Sequence, residues 1–349
     1  MDTEMQVRFA NCKTLPTLPG VAIQILDLCE QDDVDFSRLA GVIAQDPALS
    51  ARVLQIVNSP YYALPRRVAT LDHAAVLLGA HAVRTVALGF SIVKGLRQDG
   101  TPDSDLSTFW RRALIAGVAA RQLGQWAKTP DQEVLFLAAL LQDIGMLALR
   151  SVFPSQYEEI LIRSEGDYLR LIDIEKAELG TDHAEISGWL VDQWQLPKIF
   201  EVSLRGSHDP NEVASKLLLP VQIVALSGLF ADIWIIEDAI AASKYAATSA
   251  REMLNMEAED FRNIATEIAK SLPEISTLFE INLGNPEILN EILERATEAL
   301  VTASLQTVEH GRKIQLAACK LASDVHMTAD KMTSDYEKLR KEIERGEWM

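Results

Sequence analysis

The sequence predicts an all-α protein. Apolar residues recur at three- and four-residue spacing along nearly every segment, and helix start and stop signals separate the segments. The alternation of apolar and polar residues that marks strands is almost absent from the sequence. With 349 residues, 48% of them apolar, the chain is long enough for two domains or for one domain with an appendage.

A first helical lobe is predicted over residues 1–97. Asp46 followed by Pro47 favours a helix start, because the aspartate can accept hydrogen bonds from free backbone N–H groups and proline is tolerated in the first turn. A second helix is expected from Thr70 to a stop at Gly79. The segment 98–107 is rich in turn-forming residues and predicts a loop that separates this lobe from the next.

A second helical lobe, with flanking helices, is predicted over residues 98–284. Its apolar periodicity indicates helices over 109–126 and 132–149, one near Tyr157, one over 182–194 and one after Pro197. The two lobes together are predicted to form the body of the protein.

The last segment, residues 285–349, predicts a long helix with coiled-coil character. Its apolar positions step by three and four, and the seam weakens near Thr307 and His310. Two interpretations stay open: a terminal helix packed on its own domain, or a helix that dimerises or carries a signal. The seam residues are Leu289, Leu293, Leu300, Met332, Tyr336, Leu339 and Ile343.

Composition narrows the possible partners and compartment. Fifty acidic against 33 basic residues give a net charge of −17, which opposes binding to nucleic acid and to anionic membrane surfaces. Three widely separated cysteines form neither a disulfide framework nor a paired metal motif, as is typical of cytoplasmic proteins. The amino terminus lacks the apolar core of an export signal, and the longest apolar stretch, 217–226, is too short to span a bilayer.

Several motifs resemble the HDOD domain, the HD-related output domain of bacterial signalling proteins. In the first lobe these are LPTLPGVAIQIL, IAQDPALSARVLQIVNSPYY and ATLDHAAVLLGAHAVRTVAL. In the second they are FWRRALIAGVAARQL, LFLAALLQDIGMLAL and HAEISGWLVDQWQLPKIFEVSLRGSHDP. The resemblance covers roughly residues 10–235. It implies a fold similar to the HD metal-dependent phosphohydrolases, without their activity.

The resemblance also implies a vestigial HD site. The first histidine position falls at Arg112, and the His-Asp pair reads Gln142-Asp143. His183 and His208 match histidines of related phosphodiesterases, whereas Ser207 stands where a paired histidine is common. The late aspartate is expected near Ser227, with Asp232 as a distant substitute. Because a guanidinium is always charged, Arg112 is hypothesised to pair with Asp143 as the resident cation; no metal or other cofactor is expected, and Asp143, His183 and His208 are weak candidate ligands.

The expected function is therefore a non-enzymatic signal-transduction module that acts through protein contacts. The resemblance implies an output partner, fused or recruited, of the cyclic-di-GMP synthase or degradation class, and the tail implies a homodimer. Two alternatives remain: a metal-dependent phosphohydrolase or phosphodiesterase with an atypical ligand set, and a purely structural dimerisation scaffold.

Overall fold

The computed structural model describes residues 3–28, 36–60, 62, 64, 66–98, 106–210, 213, 216–298, 327, 331–338 and 340–341. Throughout these residues the regular structure is helical and no strand occurs, so the predicted all-α class is confirmed. The chain divides into two compact units, 1–297 and 298–349. Of the loop expected over 98–107 between the two lobes, residues 99–105 lie outside the described part of the chain, whereas Gln98 ends one helix and Ser107 begins the next.

The first unit contains a succession of α-helices joined mostly by short turns. They are α1 (Thr3–Asn11), α2 (Gly20–Asp27), α3 (Phe36–Ala44), α4 (Pro47–Val57), α5 (Leu71–Leu78), α6 (Ala80–Gln98), α7 (Ser107–Trp126), α8 (Gln132–Leu141), α9 (Gly145–Val152), α10 (Pro154–Ser164), α11 (Tyr168–Leu179), α12 (His183–Gln193), α13 (Lys198–Arg205), α14 (Leu218–Ile235), α15 (Ala239–Leu254) and α16 (Ala258–Phe279). Residues 286–298 form a further helical segment.

The helix boundaries predicted from capping residues are confirmed. Asp46 accepts hydrogen bonds from the backbone N–H groups of Ala48 and Leu49 at the start of α4. Thr70 caps α5 in the same way, and Gly79 ends that helix with φ of 86°, a conformation that favours glycine. These signals act within a few residues, and for that reason the sequence reveals them.

The helix predicted over 132–149 is interrupted at residues 142–144. In this turn the N–H groups of Ile144, Met146 and Leu147 bond to the carbonyl three residues earlier, which tightens the chain. The N–H of Gly145 instead donates to Ser187 Oγ on α12, at 2.8 Å. The interruption therefore has a tertiary cause, the close approach of α12.

The core of the first unit is built around α7, which packs against α8, α14 and α16. Both 132–152 and 218–235 are long and apolar enough to cross a membrane by length and composition alone. Most of each stretch is buried inside the protein, 83% and 67% respectively, so packing accounts for its apolar character.

The residues of the predicted carboxyl-terminal seam divide between the two units. Leu289 and Leu293 are buried in the first unit, where the carbonyl of Leu289 accepts a hydrogen bond from Trp234 Nε1 on α14. At these residues the seam packs on its own domain and is not free for a partner helix. Met332 and Tyr336 belong to the second unit and are exposed. The other three seam residues, Leu300, Leu339 and Ile343, lie outside the described residues. The predicted coiled coil runs through these residues and stays a prediction.

Candidate functional site

A buried arginine holds two buried aspartates at the centre of the helical body. The expected ion pair between Arg112 and Asp143 is present, formed by Nη1 and Oδ2. Asp232 binds the other edge of the same guanidinium, with Nε to Oδ1 at 2.7 Å and Nη2 to Oδ2 at 3.3 Å. Arg112 is only 1% exposed. Both carboxylates therefore neutralise one cation that water does not reach.

Three elements bring these groups together. Arg112 extends from the buried helix α7, Asp143 lies in the tight turn between α8 and α9, and Asp232 lies on α14. Gly228, also on α14, makes room for the guanidinium, since a Cβ there would lie 2.9 Å from Arg112 Nη2. The close packing of α7 with α14 thus depends on a missing side chain.

Tyr168 covers the guanidinium. The ring of Tyr168 lies under Arg112, with the guanidinium carbon 3.7 Å from the ring centroid, a cation–π contact. Burial opposes the charged form of Arg112, but Asp143 and Asp232 raise the pKa of its guanidinium above the ordinary value. Burial also disfavours the charged form of Tyr168, and for a phenol this raises the pKa. Arg112 therefore stays cationic and Tyr168 neutral.

His183 is held by a second buried carboxylate, Glu175 of α11. Oε2 of Glu175 accepts hydrogen bonds from the backbone N–H of His183 at 2.8 Å and from its Nδ1 at 2.7 Å. Oε1 accepts from the Tyr157 hydroxyl at 2.5 Å. Burial disfavours a charged imidazole, but the Glu175 carboxylate prevails and raises the pKa of His183 above its ordinary value. Glu175 thus orients the His183 ring and leaves Nε2 pointing away from it.

The Nε2 atom of His183 faces His208 and Asp143. The two Nε2 atoms are 2.9 Å apart, and Asp143 Oδ1 is 3.6 Å from that of His183 and 3.9 Å from that of His208. Asp143 Oδ1 is buried and accepts no hydrogen bond from any described residue. Burial, reinforced by His183, holds the pKa of His208 well below its ordinary value. His208 is therefore a neutral imidazole, the form that binds metals.

These three donor atoms fit a transition-metal ion. The point equidistant from them lies about 2.0 Å from each, which is the usual distance of zinc from histidine nitrogen and carboxylate oxygen. The hydrogen bond of His183 to Glu175 is the arrangement commonly found behind a metal-bound histidine. Asp143, His183 and His208 could hold the ion, and the orphaned Oδ1 would gain a partner.

The buried charges around Asp143 affect whether a metal ion can bind to the three donor atoms. Asp143, Asp232 and Glu175 are three buried carboxylates, and Arg112, the guanidinium beside them, binds only the two aspartates. The excess negative charge can be reduced by a proton on His183 or by a bound cation. Arg112 works against the cation, because its Nη1 binds the second oxygen of the same Asp143 carboxylate. Metal and proton would thus compete for one position beside a fixed positive charge.

The other site residues predicted from the sequence lie beside the charged cluster or outside it. Gln142 lies beside Arg112 and Gly228, and its Nε2 lacks a hydrogen-bond partner among the described residues. Ser207 and Ser227 each donate to the backbone carbonyl three residues earlier in their own segments. Asp232, named from the sequence as a distant substitute for the late aspartate, binds Arg112 and is not among the three candidate metal donors.

The sequence analysis did not identify Glu175, Tyr157 and Tyr168 as parts of the site. It named Asp232 only as a distant substitute for a ligand. A signal was present for the two acids. Asp232 is the single charged residue of the apolar helix α14, and Glu175 shares the buried face of α11 with Tyr168, Leu171 and Leu179. A lone charge on a buried apolar face requires a partner. The neighbouring sequence did not identify the partner of either acid.

Comparisons with known proteins agree with the fold. The HDOD domain model matches residues 15–210. An uncharacterized protein from Treponema pallidum (strain Nichols) is 28% identical over 204 residues, 56% of this chain and 38% of that protein. The chain therefore spans well under half the length of that relative.

Solved structures are similar over most of the chain. An HDOD domain protein of unknown function from Geobacter sulfurreducens has a TM-score of 0.62 and 21% identity, covering 81% of this chain and 99% of its own. A provisionally named phosphohydrolase from Shewanella amazonensis SB2B has a TM-score of 0.61 and 23% identity, covering 78% of this chain and 97% of its own. A provisionally named signal transduction protein from Marinobacter aquaeolei VT8 has a TM-score of 0.58 and 19% identity, covering 80% of this chain and 64% of its own. At these identities the likeness shows the fold alone.

Proposed function

Because the chain belongs to the HDOD domain family, we propose that it is a regulatory module that relays a signal through protein contacts and does not catalyse hydrolysis. The observation that carries this proposal is the guanidinium of Arg112 bound by both Asp143 and Asp232. In a metal-dependent hydrolase, carboxylates at the centre of the site bind a divalent ion. Here both carboxylates already bind a cationic side chain that cannot lose its proton.

The relay would use the buried cluster as a link between helices. Its charged members come from α7, the 142–144 turn, α11, α12 and α14, so a shift of one element disturbs ion pairs shared with the others. Separating a buried ion pair is costly, which favours discrete packings over gradual deformation. A partner that binds one packing more tightly would shift the population toward it. The output partner is proposed to be a cyclic-di-GMP synthase or degradation domain, on the family resemblance, with the tail forming a homodimer.

The test is elemental analysis of the purified full chain together with hydrolysis assays on cyclic dinucleotides. The proposal expects less than about a tenth of an equivalent of tightly bound transition metal, and no turnover with added Mn²⁺, Fe²⁺ or Zn²⁺. Stoichiometric metal accompanied by turnover that the His208→Ala variant lacks would overturn it.

A metal-dependent phosphohydrolase is the second candidate, favoured by the three donor atoms of Asp143, His183 and His208. A divalent ion there would act as a Lewis acid and lower the pKa of a bound water. In that case Glu175 would orient His183, and Arg112 would fix the Asp143 carboxylate. Metal titration by calorimetry separates this candidate from the first: it requires one ion per chain in the wild type and none in His183→Ala. The Arg121→Lys variant, altered in a different buried ion pair, is the control.

A further inference from the structure

A cleft of about 400 Å³ lies beside the charged cluster and is separate from its metal-binding donors. It opens between α9, α10 and α11 and the ends of α7 and α14. Its inner wall is formed by the buried side chains of Phe109, Met146, Tyr157 and Tyr168. This size and this apolar, aromatic lining are typical of sites for small organic molecules.

The rim of the cleft is acidic. Glu165, Asp167 and Glu237 line the cleft and are exposed. Among the described lining residues Arg150 is the one cationic side chain, and its Nη2 lies 3.4 Å from the carboxylate of Glu158. Of the three rim acids, Glu165 binds Arg170, with Nη1 to Oε2 at 2.6 Å, whereas no described cation pairs with Asp167 or Glu237. These two acids give the opening a negative potential, which attracts cations and repels anions.

A smaller cavity continues the cleft past Tyr168. It measures about 210 Å³, shares Asp167, Tyr168 and Ile236 with the cleft, and adds Asp238 and Tyr245 to the lining. Tyrosine rings beside carboxylates suit a positively charged nitrogen, because the ring faces and the acids both attract it. The two cavities together thus offer an apolar wall and a cation-attracting border.

We propose that this cleft binds a small organic cation of the arylalkylamine class. The apolar part of the ligand would pack against Phe109, Met146 and Tyr157, and its ammonium would lie toward Glu165, Asp167 and Glu237. Such a ligand would also contact Tyr168, whose ring carries Arg112. The site does not depend on the relay function proposed above, since it needs only the cleft and its charges.

Calorimetric titration of the full chain with three matched probes tests the proposal. The probes are phenethylamine, the neutral 2-phenylethanol and the anionic 3-phenylpropionate, which share a phenyl ring and differ in charge. We expect saturable binding of the amine, at least tenfold weaker binding of the alcohol, and no binding of the carboxylate. Equal affinity for amine and alcohol, or no saturable binding of the amine, would overturn the proposal.

Variants locate the binding in this cleft. Glu165→Gln with Glu237→Gln should weaken amine binding about three- to tenfold and leave the affinity for the alcohol unchanged. Glu159→Gln, which alters an exposed acid of α10 outside the cleft, is the charge control. Leu161→Trp should fill the cleft and abolish binding, with circular dichroism verifying that the variant is folded. Unchanged amine affinity in the folded Leu161→Trp protein would also contradict the assignment.

Discussion

At the scale of single residues, the decisive feature is an arginine where a ligand-bearing position was expected. Arg112 is 1% exposed, and its partners Asp143 and Asp232 are nearly as buried. Such a group is not evidence of high stability, because desolvating the charges offsets much of their attraction. Its members are nevertheless interdependent, since removal of the cation leaves two like charges in the core.

The first prediction concerns Arg112→Met. This variant should lower the free energy of unfolding at pH 7 by about 3–5 kcal/mol, because it leaves Asp143 and Asp232 buried without their cation. The deficit should shrink on acidification, when protonated carboxyls no longer repel each other. Urea denaturation at pH 7 and pH 5 measures both effects.

The control for this prediction is an exposed ion pair. Arg163→Met removes the partner of Glu178 at the surface and should cost less than about 1 kcal/mol. Adding Asp143→Asn and Asp232→Asn to Arg112→Met should recover part of the lost stability. A cost for Arg112→Met as small as that of Arg163→Met would show that the buried group is not interdependent.

The second prediction concerns protonation of His183 in protein freed of metal. Its pKa is raised by Glu175, so Glu175→Gln should lower it. Because the folded-state value lies above the unfolded one, the stabilising contribution of His183 is fully present below about pH 6.5 and is lost as the pH rises through the folded pKa. Imidazole NMR measures the titration of His183 in both proteins. An unchanged His183 titration would contradict the role given to Glu175.

At the scale of elements, the turn at 142–144 sets the position of Asp143. Gly145 allows it, because a Cβ at this residue would lie 2.1 Å from the carbonyl oxygen of His183 and 2.7 Å from the N atom of Ser187. Both are backbone atoms of α12 and cannot rotate away. The contact therefore fixes the distance between the Asp143 turn and the start of α12, where His183 lies.

The third prediction follows from this contact. Gly145→Ala should lower the free energy of unfolding by about 3 kcal/mol, because α9 and α12 must separate. Gly89→Ala in α6 is the matched control. Its Cβ would meet Leu137 Cδ1 at 3.5 Å and Leu140 Cδ2 at 4.0 Å, both ordinary van der Waals contacts, and the variant should change stability by less than about 1 kcal/mol. Thermal and urea unfolding measure both variants. Similar values for the two variants would mean that the helices do not meet at Gly145.

The same elements show what sequence can predict. Asp46 and Thr70 start helices through contacts within three residues, and such signals are visible in the chain itself. The Gly145 turn was missed because its cause lies on α12, some forty residues later. Asp143, His183 and His208 were found through family motifs, and the structure brings them together. The ion pair of Asp232 with Arg112 was not predicted, because motif spacing does not report which face of α14 meets Arg112.

At the scale of the whole molecule, the carboxyl-terminal segment belongs to two units. Leu289, Leu293 and Ala296 are buried in the first unit, which ends at residue 297. Trp234 donates its indole N–H to the carbonyl of Leu289, so the segment also satisfies a buried polar group of α14. A boundary at residue 285, as the apolar spacing suggested, would cut through this packing.

The last prediction compares two truncations. Removal of residues 298–349 should leave the melting temperature of the first unit within a few degrees of the full chain, since the compact unit keeps its core. Removal of 285–349 should lower the free energy of unfolding by several kcal/mol, because it strips Leu289 and Leu293 from the core and leaves Trp234 Nε1 without its acceptor. Calorimetry and light scattering on the same samples then separate folding from assembly. If the homodimer proposed above forms through the tail, the chain lacking 298–349 should have the mass of a monomer at full stability, and a dimer in that variant would place the interface on the body.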